Sequence, residues 1–242
     1  MTRSAIGWLA WAMVTLASTA AARADSIAPV VVIDPGHGGS NTGAPGRAPG
    51  SFEKQVTLGV ARALERQLTR EGIRVVLTRE RDVYLTLRER ARRANAAKPD
   101  CFISIHTNAS PDHSRRGVET YVLARETAEV EARRAAGRLE GVQALLAELG
   151  LLDAHHVSIA LAAALMAHVA MGQPDRAVKQ AGYDVLSGVA APAVLVEIGF
   201  IDHPIEGPLL LKPEAQRKIG EQLAEGVFDF LSARRPARYA SR

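Results

Sequence analysis

Short blocks of β-branched and aliphatic residues alternate along the chain with longer segments whose apolar positions recur every three or four residues. Val30–Ile33 is a run of β-branched residues stopped by Asp34-Pro35-Gly36, which predicts a strand running into a glycine- and proline-rich loop. From Phe52 to Arg70, Val56, Val60, Leu64 and Leu68 fall at helical spacing, and Gly72 closes the helix. Ile73–Leu77 predicts a second strand, and Leu87–Ala97 a helix with a basic exposed face. Cys101–Ile105 and Thr120–Leu123 predict two more strands, followed by helical patterns over Thr127–Leu149 and Val157–Met171. Ala193–Val196 predicts a buried strand, and a last helix carries Ile219, Leu223, Val227 and Phe230 on one side. No repeat, Ser-rich linker or change of composition divides the chain, so the pattern predicts one α/β domain over residues 25–232.

The two ends read differently. Arg3, the uncharged apolar stretch Ala5–Leu16 and the small residues ending in Ala22-Arg23-Ala24 have the order of a secretory signal peptide spanning residues 1–24. The competing reading is an uncleaved anchor, but the apolar core is short for a membrane span. Elsewhere no uninterrupted apolar stretch reaches membrane length, so the expectation is an exported, periplasmic or cell-envelope protein with no membrane attachment after cleavage. Residues 233–242 read as a basic, frayed tail.

Composition removes several classes. With 47% apolar and 23% charged residues, disorder, collagen and coiled coil are set aside. A single Cys excludes an internal disulfide framework and a Cys-rich zinc module. A net charge of +4 is too small to argue for nucleic acid, and the basic helix Leu87–Ala97 has no interleaved aromatic residues.

Candidate chemistry sits at strand ends, where open α/β sheets bind their ligands. His37 lies just beyond the first strand, His106 follows Ile103-Ser104-Ile105, and Glu197 follows Val194-Leu195-Val196. If those strands are parallel, the three gather at one edge, together with Glu53 at the start of the helix after the first loop. Each has a duller reading. A lone His after a strand is more often a hydrogen-bonded structural residue. Glu53, behind Ser51 as N-cap, would simply complement the helix dipole. Glu197 is harder to dismiss, because a carboxylate ending an apolar run needs a partner or a task. Together, two His and one carboxylate make a catalytic zinc set with an open fourth position, and the other carboxylate is left as a general base. Spacing does not decide which Glu is which. Competing signals are weaker: Gly36-His37-Gly38-Gly39 lacks the ending of a phosphate loop, His155 and His156 are adjacent and point apart on a helix, and His113, His168 and His203 lack evident partners.

Several segments, taken in order, resemble a known family. VVIDPGHGGSNTGAPG (Val31–Gly46), Glu53, TRERDVYLTLRERARRAN (Thr78–Asn95), FISIHTNA (Phe102–Ala109), GVETYVL (Gly117–Leu123), VKQAGYDVL (Val178–Leu186) and PAVLVEIGFIDHP (Pro192–Pro204) are similar to the zinc-dependent N-acetylmuramoyl-L-alanine amidases. The resemblance implies a mixed, mostly parallel sheet flanked by helices. It also implies one zinc ion held by His37, Glu53 and His106, with Glu197 as the catalytic carboxylate. The implied reaction is hydrolysis of the amide between N-acetylmuramic acid and L-Ala of peptidoglycan, by a monomer for which a protein activator is a candidate partner. A stem-peptide zinc peptidase and a non-catalytic wall-binding module are the alternatives. After Glu197 the chain reads Gly199-Phe200-Ile201-Asp202-His203 where the family often has G-F-[IL]-[ST]-N. For Ala124–Leu149 two readings stand side by side: a partial lid with an acidic residue such as Glu126, Glu129 or Glu131 near the metal, or an ordinary surface helix.

Overall fold

The computed structural model describes residues 28–169 and 178–234. The expected leader and the tail beyond residue 234 lie outside the described residues.

Six strands form one sheet: β1 (Val30–Pro35), β2 (Arg74–Leu77), β3 (Cys101–Asn108), β4 (Glu119–Leu123), β5 (Val178–Ala181) and β6 (Ala193–Phe200). Their spatial order is β2-β1-β3-β6-β4-β5. β2, β1, β3 and β6 run parallel, while β4 is antiparallel to β6 and parallel to β5. Successive side chains of a strand face opposite sides, and here both sides are covered. Val31, Ile33, Cys101, Ile103, Ile105, Val194 and Val196 join one buried cluster, whereas Val32, Phe102, Ala193 and Leu195 join another. That is why the central strands read as continuous apolar runs instead of alternating ones.

The first cluster is closed by α1 (Glu53–Arg70), α4 (Gly141–His168) and α6 (Pro213–Arg234). The second face carries α2 (Leu87–Ala97). α3 (Arg125–Ala136) packs on α4, and α5 (Glu206–Leu210) follows β6. Cys101 is a buried free thiol, and burial pushes it up beyond the usual thiol range.

Three elements differ from the pattern-based expectation. The two helices expected over Thr127–Leu149 and Val157–Met171 are re-partitioned, with a break at Gly137–Glu140 and one continuous helix from Gly141 to His168. By length and composition that helix could cross a membrane. Its second half, however, is core: Leu161, Ala162 and Leu165 are fully buried. The first half leaves Val142, Leu145, Leu146 and Leu149 exposed. β5 was not expected as a strand; it is a four-residue edge strand without strict alternation. α5 was also unforeseen.

Candidate active site

β1 ends at Pro35, and the chain turns through Gly36 into His37, whose φ is +59°. That left-handed conformation costs a non-glycine residue about 1–2 kcal/mol, so the surroundings must hold it. The ring has a defined seat: Asn41 Oδ1 lies 2.9 Å from Nδ1, and Nε2 is turned to Glu53 Oε2 at 3.1 Å.

Glu53 opens α1. It does not depend on Ser51, whose hydroxyl donates to Ala48 O at 2.6 Å, and Phe52 is the N-cap residue, its N–H meeting Gln55 Oε1. The expected Ser51 cap is therefore absent. Each Glu53 oxygen takes one backbone donor, Thr107 N–H on Oε1 and Ala44 N–H on Oε2, both at 2.9 Å. The same oxygens then face the two imidazoles, with His106 Nδ1 3.0 Å from Oε1. His106 is the sixth residue of β3, and its ring meets His37 edge-on with centroids 5.0 Å apart. Burial alone would push the Glu53 carboxyl up, but hydrogen bonds from His106 and His37 hold it far below the ordinary carboxylate range. Burial opposes the His37 proton, but the bond to Glu53 raises its affinity overall.

The donor atoms of His37, Glu53 and His106 all lie within 4.8 Å of one another. Two imidazoles and a carboxylate converging in this way match the nitrogen and oxygen donors of a three-ligand catalytic zinc site. The donor set fits a divalent metal.

Glu197 lies in β6, paired across the sheet with His106 and, on the other side, with Glu119 of β4. It is 7% exposed and its Oε2 is buried without a hydrogen-bond partner. Burial, then the charges of Glu53 and Glu119, push its proton affinity well above the usual range. Glu119 by contrast is saturated: it accepts from Asn108, Arg115, Tyr121 and Lys179 at 2.6–2.9 Å. His37, Glu53, His106 and Glu197 line one cavity of about 390 Å³, shared with Asn108 and Tyr183. All four residues singled out in the sequence thus converge. Glu119 and Tyr183 were missed as site residues, although a Glu inside the apolar run Val118–Leu123 is the same signal that marked Glu197.

Other expectations need correction. His113 pairs with Asp202 and His168 with Asp229, each at 2.6 Å, while His203 Nδ1 accepts from the Ile205 and Glu206 N–H groups. Asp202, where the chain departs from the family pattern, also accepts from Ser110 N–H at 2.9 Å. The lid is not there. β4 runs antiparallel to β6, so α3 starts from the sheet edge opposite Glu197. Glu129 pairs with Arg125 and Arg133, Glu131 pairs with Arg134 and lines a separate cavity with His155, and Glu126 is exposed.

Fold and site together define an α/β protein with a metal-competent His/Glu/His set beside a buried carboxylate that has an unpartnered oxygen. Residues 31–229 match the family described as N-acetylmuramoyl-L-alanine amidase. The amidase AmiA of Escherichia coli K12 is 32% identical over 219 residues, covering 83% of this chain and 75% of that protein. The endolysin of Bacillus phage SPP1 is 35% identical over 207 residues, covering 85% and 67%. Among solved structures, the N-acetylmuramoyl-L-alanine amidase of Clostridium difficile 630 superposes with a TM-score of 0.68 at 26% identity, covering 86% of this chain and 99% of that one. The chain belongs to the N-acetylmuramoyl-L-alanine amidase family, and it is an enzyme of that class.

Proposed function

We propose that His37, Glu53 and His106 hold one zinc ion and that Glu197 is the acid–base residue for hydrolysis of the amide between the lactyl group of N-acetylmuramic acid and L-Ala. The observation that carries this is the single cavity in which both imidazoles face one carboxylate while an unpartnered Glu197 oxygen stands across from His106. Zinc, when bound, polarises the scissile carbonyl and makes water acidic enough to attack at neutral pH. The protein does the rest. Asn41, beside His37 Nδ1, orients that imidazole with Nε2 toward the metal position, and Glu197 takes a proton from the attacking water and returns it to the leaving L-Ala nitrogen. A raised proton affinity suits a group that must hold that proton between the two steps.

Digestion of purified peptidoglycan, with mass analysis of the products, tests the reading. Free stem peptides beginning at L-Ala are expected, and release is expected to stop on chelation and return with zinc. Cleavage inside the stem peptide would instead support the peptidase alternative.

Residues 1–24 are part of the proposal as an export signal, which puts the enzyme on the same side as its substrate. Trp8 and Trp11 are the only Trp residues, so the exported protein is expected to show tyrosine fluorescence alone. Tryptophan emission from it would mean that the segment is retained. The enzyme is proposed to act as a monomer. A protein activator also belongs to the proposal.

A further inference from the structure

Two arginines lie buried beneath the His37 loop, and the chemistry above gives them no task. Arg79 is 1% exposed and Arg90 3%, and guanidinium groups are buried to that degree only when their N–H groups are all engaged. Among the described residues, the one carboxylate hydrogen-bonded to either is Asp34, which takes Arg90 Nη1 at 2.7 Å. Asp34 is itself steadied by the Thr78 and Ser104 hydroxyls.

The other bonds go mostly to backbone carbonyls: Lys54 O, Arg81 O and Leu85 O take one each at 3.0–3.4 Å, and the shortest go to three consecutive carbonyls. Arg79 Nε and Arg90 Nη1 both donate to Pro35 O, at 2.9 and 2.8 Å. Arg79 Nη2 donates to Gly36 O at 2.7 Å, where the Thr57 hydroxyl also donates at 2.9 Å. Arg90 Nη2 donates to His37 O at 2.7 Å. An ion pair needed only for stability would require Asp34 alone. Here two rigid forks instead fix three carbonyls in a row, ending at the residue whose backbone is left-handed. The loop they hold also packs on the second histidine, because a Cβ on Gly36 would collide with the His106 ring.

We propose that Arg79 and Arg90 are positioning residues for the metal centre, clamping the Pro35, Gly36 and His37 carbonyls so that His37 is presented to Glu53 before any metal arrives. The clamp explains why a non-glycine residue is tolerated at φ +59°. It also explains the choice of arginine: lysine is a single point donor and cannot span two carbonyls along one fork. Pre-orientation of this kind is what outer partners of a metal site supply, and losing one costs about 10–100-fold in metal affinity.

The inference rests on the metal assignment proposed above. Its test is the zinc dissociation constant, measured by competition with a chelator at a temperature where circular dichroism shows each protein folded. Arg90→Gln is expected to bind zinc about 10–100-fold more weakly than the parent. Arg93→Gln is the control: Arg93 sits on the same helix but donates to Thr78 O, outside the loop. It is expected to leave zinc affinity unchanged, whatever it does to the melting temperature. Thr57→Val, nearly isosteric, removes one bond to Gly36 O and one acceptor from Arg79, and is expected to weaken zinc binding several-fold. Parent-like zinc affinity in folded Arg90→Gln overturns the clamp, and if that variant does not fold, parent-like affinity in Thr57→Val overturns it instead. A parent chain that binds no zinc through His37, Glu53 and His106 overturns the metal assignment and the clamp with it.

Discussion

Glu197→Gln is expected to lower turnover by roughly 10²–10⁴-fold while leaving bound zinc near one per chain and making the metal-free protein more stable. The two effects share one cause. Glu197 is almost fully buried, one of its oxygens has no partner, and the carboxylates of Glu53 and Glu119 lie nearby. In the unfolded chain the side chain ionises near its ordinary value of 4.5, whereas in the folded chain it holds its proton to higher pH. Its contribution to stability is therefore complete below pH 4.5 and is lost as pH rises toward the folded value. At neutral pH the metal-free enzyme carries that cost, and a neutral amide of the same shape removes it. Each kcal/mol recovered raises the melting temperature by about 2–4 °C in a chain of this size. Functional sites often hold such stored cost. Thermal melts in EDTA, zinc stoichiometry and peptidoglycan turnover, measured on one preparation, check all three outcomes. Near-parental turnover would remove Glu197 from the mechanism, and loss of zinc would make it a ligand or the support of one.

Legibility in the sequence followed the physics of burial. Val30–Ile33, Cys101–Ile105 and Ala193–Val196 read as strands because both sheet faces are covered, and α1 was visible in Val56, Val60, Leu64 and Leu68. The site was visible because the parallel strands β1, β3 and β6 deliver His37, His106 and Glu197 to one edge, whichever loops intervene. What pattern alone left open was which carboxylate binds metal. The structure bears on that through Glu53, which sits between the imidazoles, whereas Glu197 stands apart with a free oxygen. The lid expectation failed because the direction of β4 is not written in its composition. An antiparallel β4 sends α3 to the far edge, and Glu129 and Glu131 pair with arginines there. β5 escaped because an edge strand of four half-exposed residues buries too little to impose a period. Arg90 escaped because the basic helix Leu87–Ala97 reads as a solvated face until the fold turns this member inward, and Arg79 lies before that helix, beside Glu80 and Arg81, where no spacing marks it as buried.

Replacing His37 by alanine is expected to abolish zinc binding at working concentrations and to bring amidase activity down to the metal-free background. It removes a ligand, and two remaining donors make a far weaker site. The same substitution has a second signature without metal. His37 and Glu53 hold each other in their charged forms: the imidazole takes up its proton more readily than its ordinary 6.5, and the carboxyl gives its proton up more readily than its ordinary 4.5. The stabilisation tied to His37 is complete below pH 6.5 and fades as pH rises through the folded value. The part tied to Glu53 is complete above pH 4.5 and fades as pH falls. Both are present together only between those limits, so the melting-temperature advantage of the metal-free parent over His37→Ala should peak at about pH 5.5 and shrink by about pH 8.5. Protons and zinc also compete for the imidazole, so parental zinc affinity should fall across the same acidic range. Melts of both proteins in EDTA at the two pH values decide the matter. A difference that stays flat with pH would mean that the His37–Glu53 contact is a neutral hydrogen bond, and the pairing argued for the site would fall.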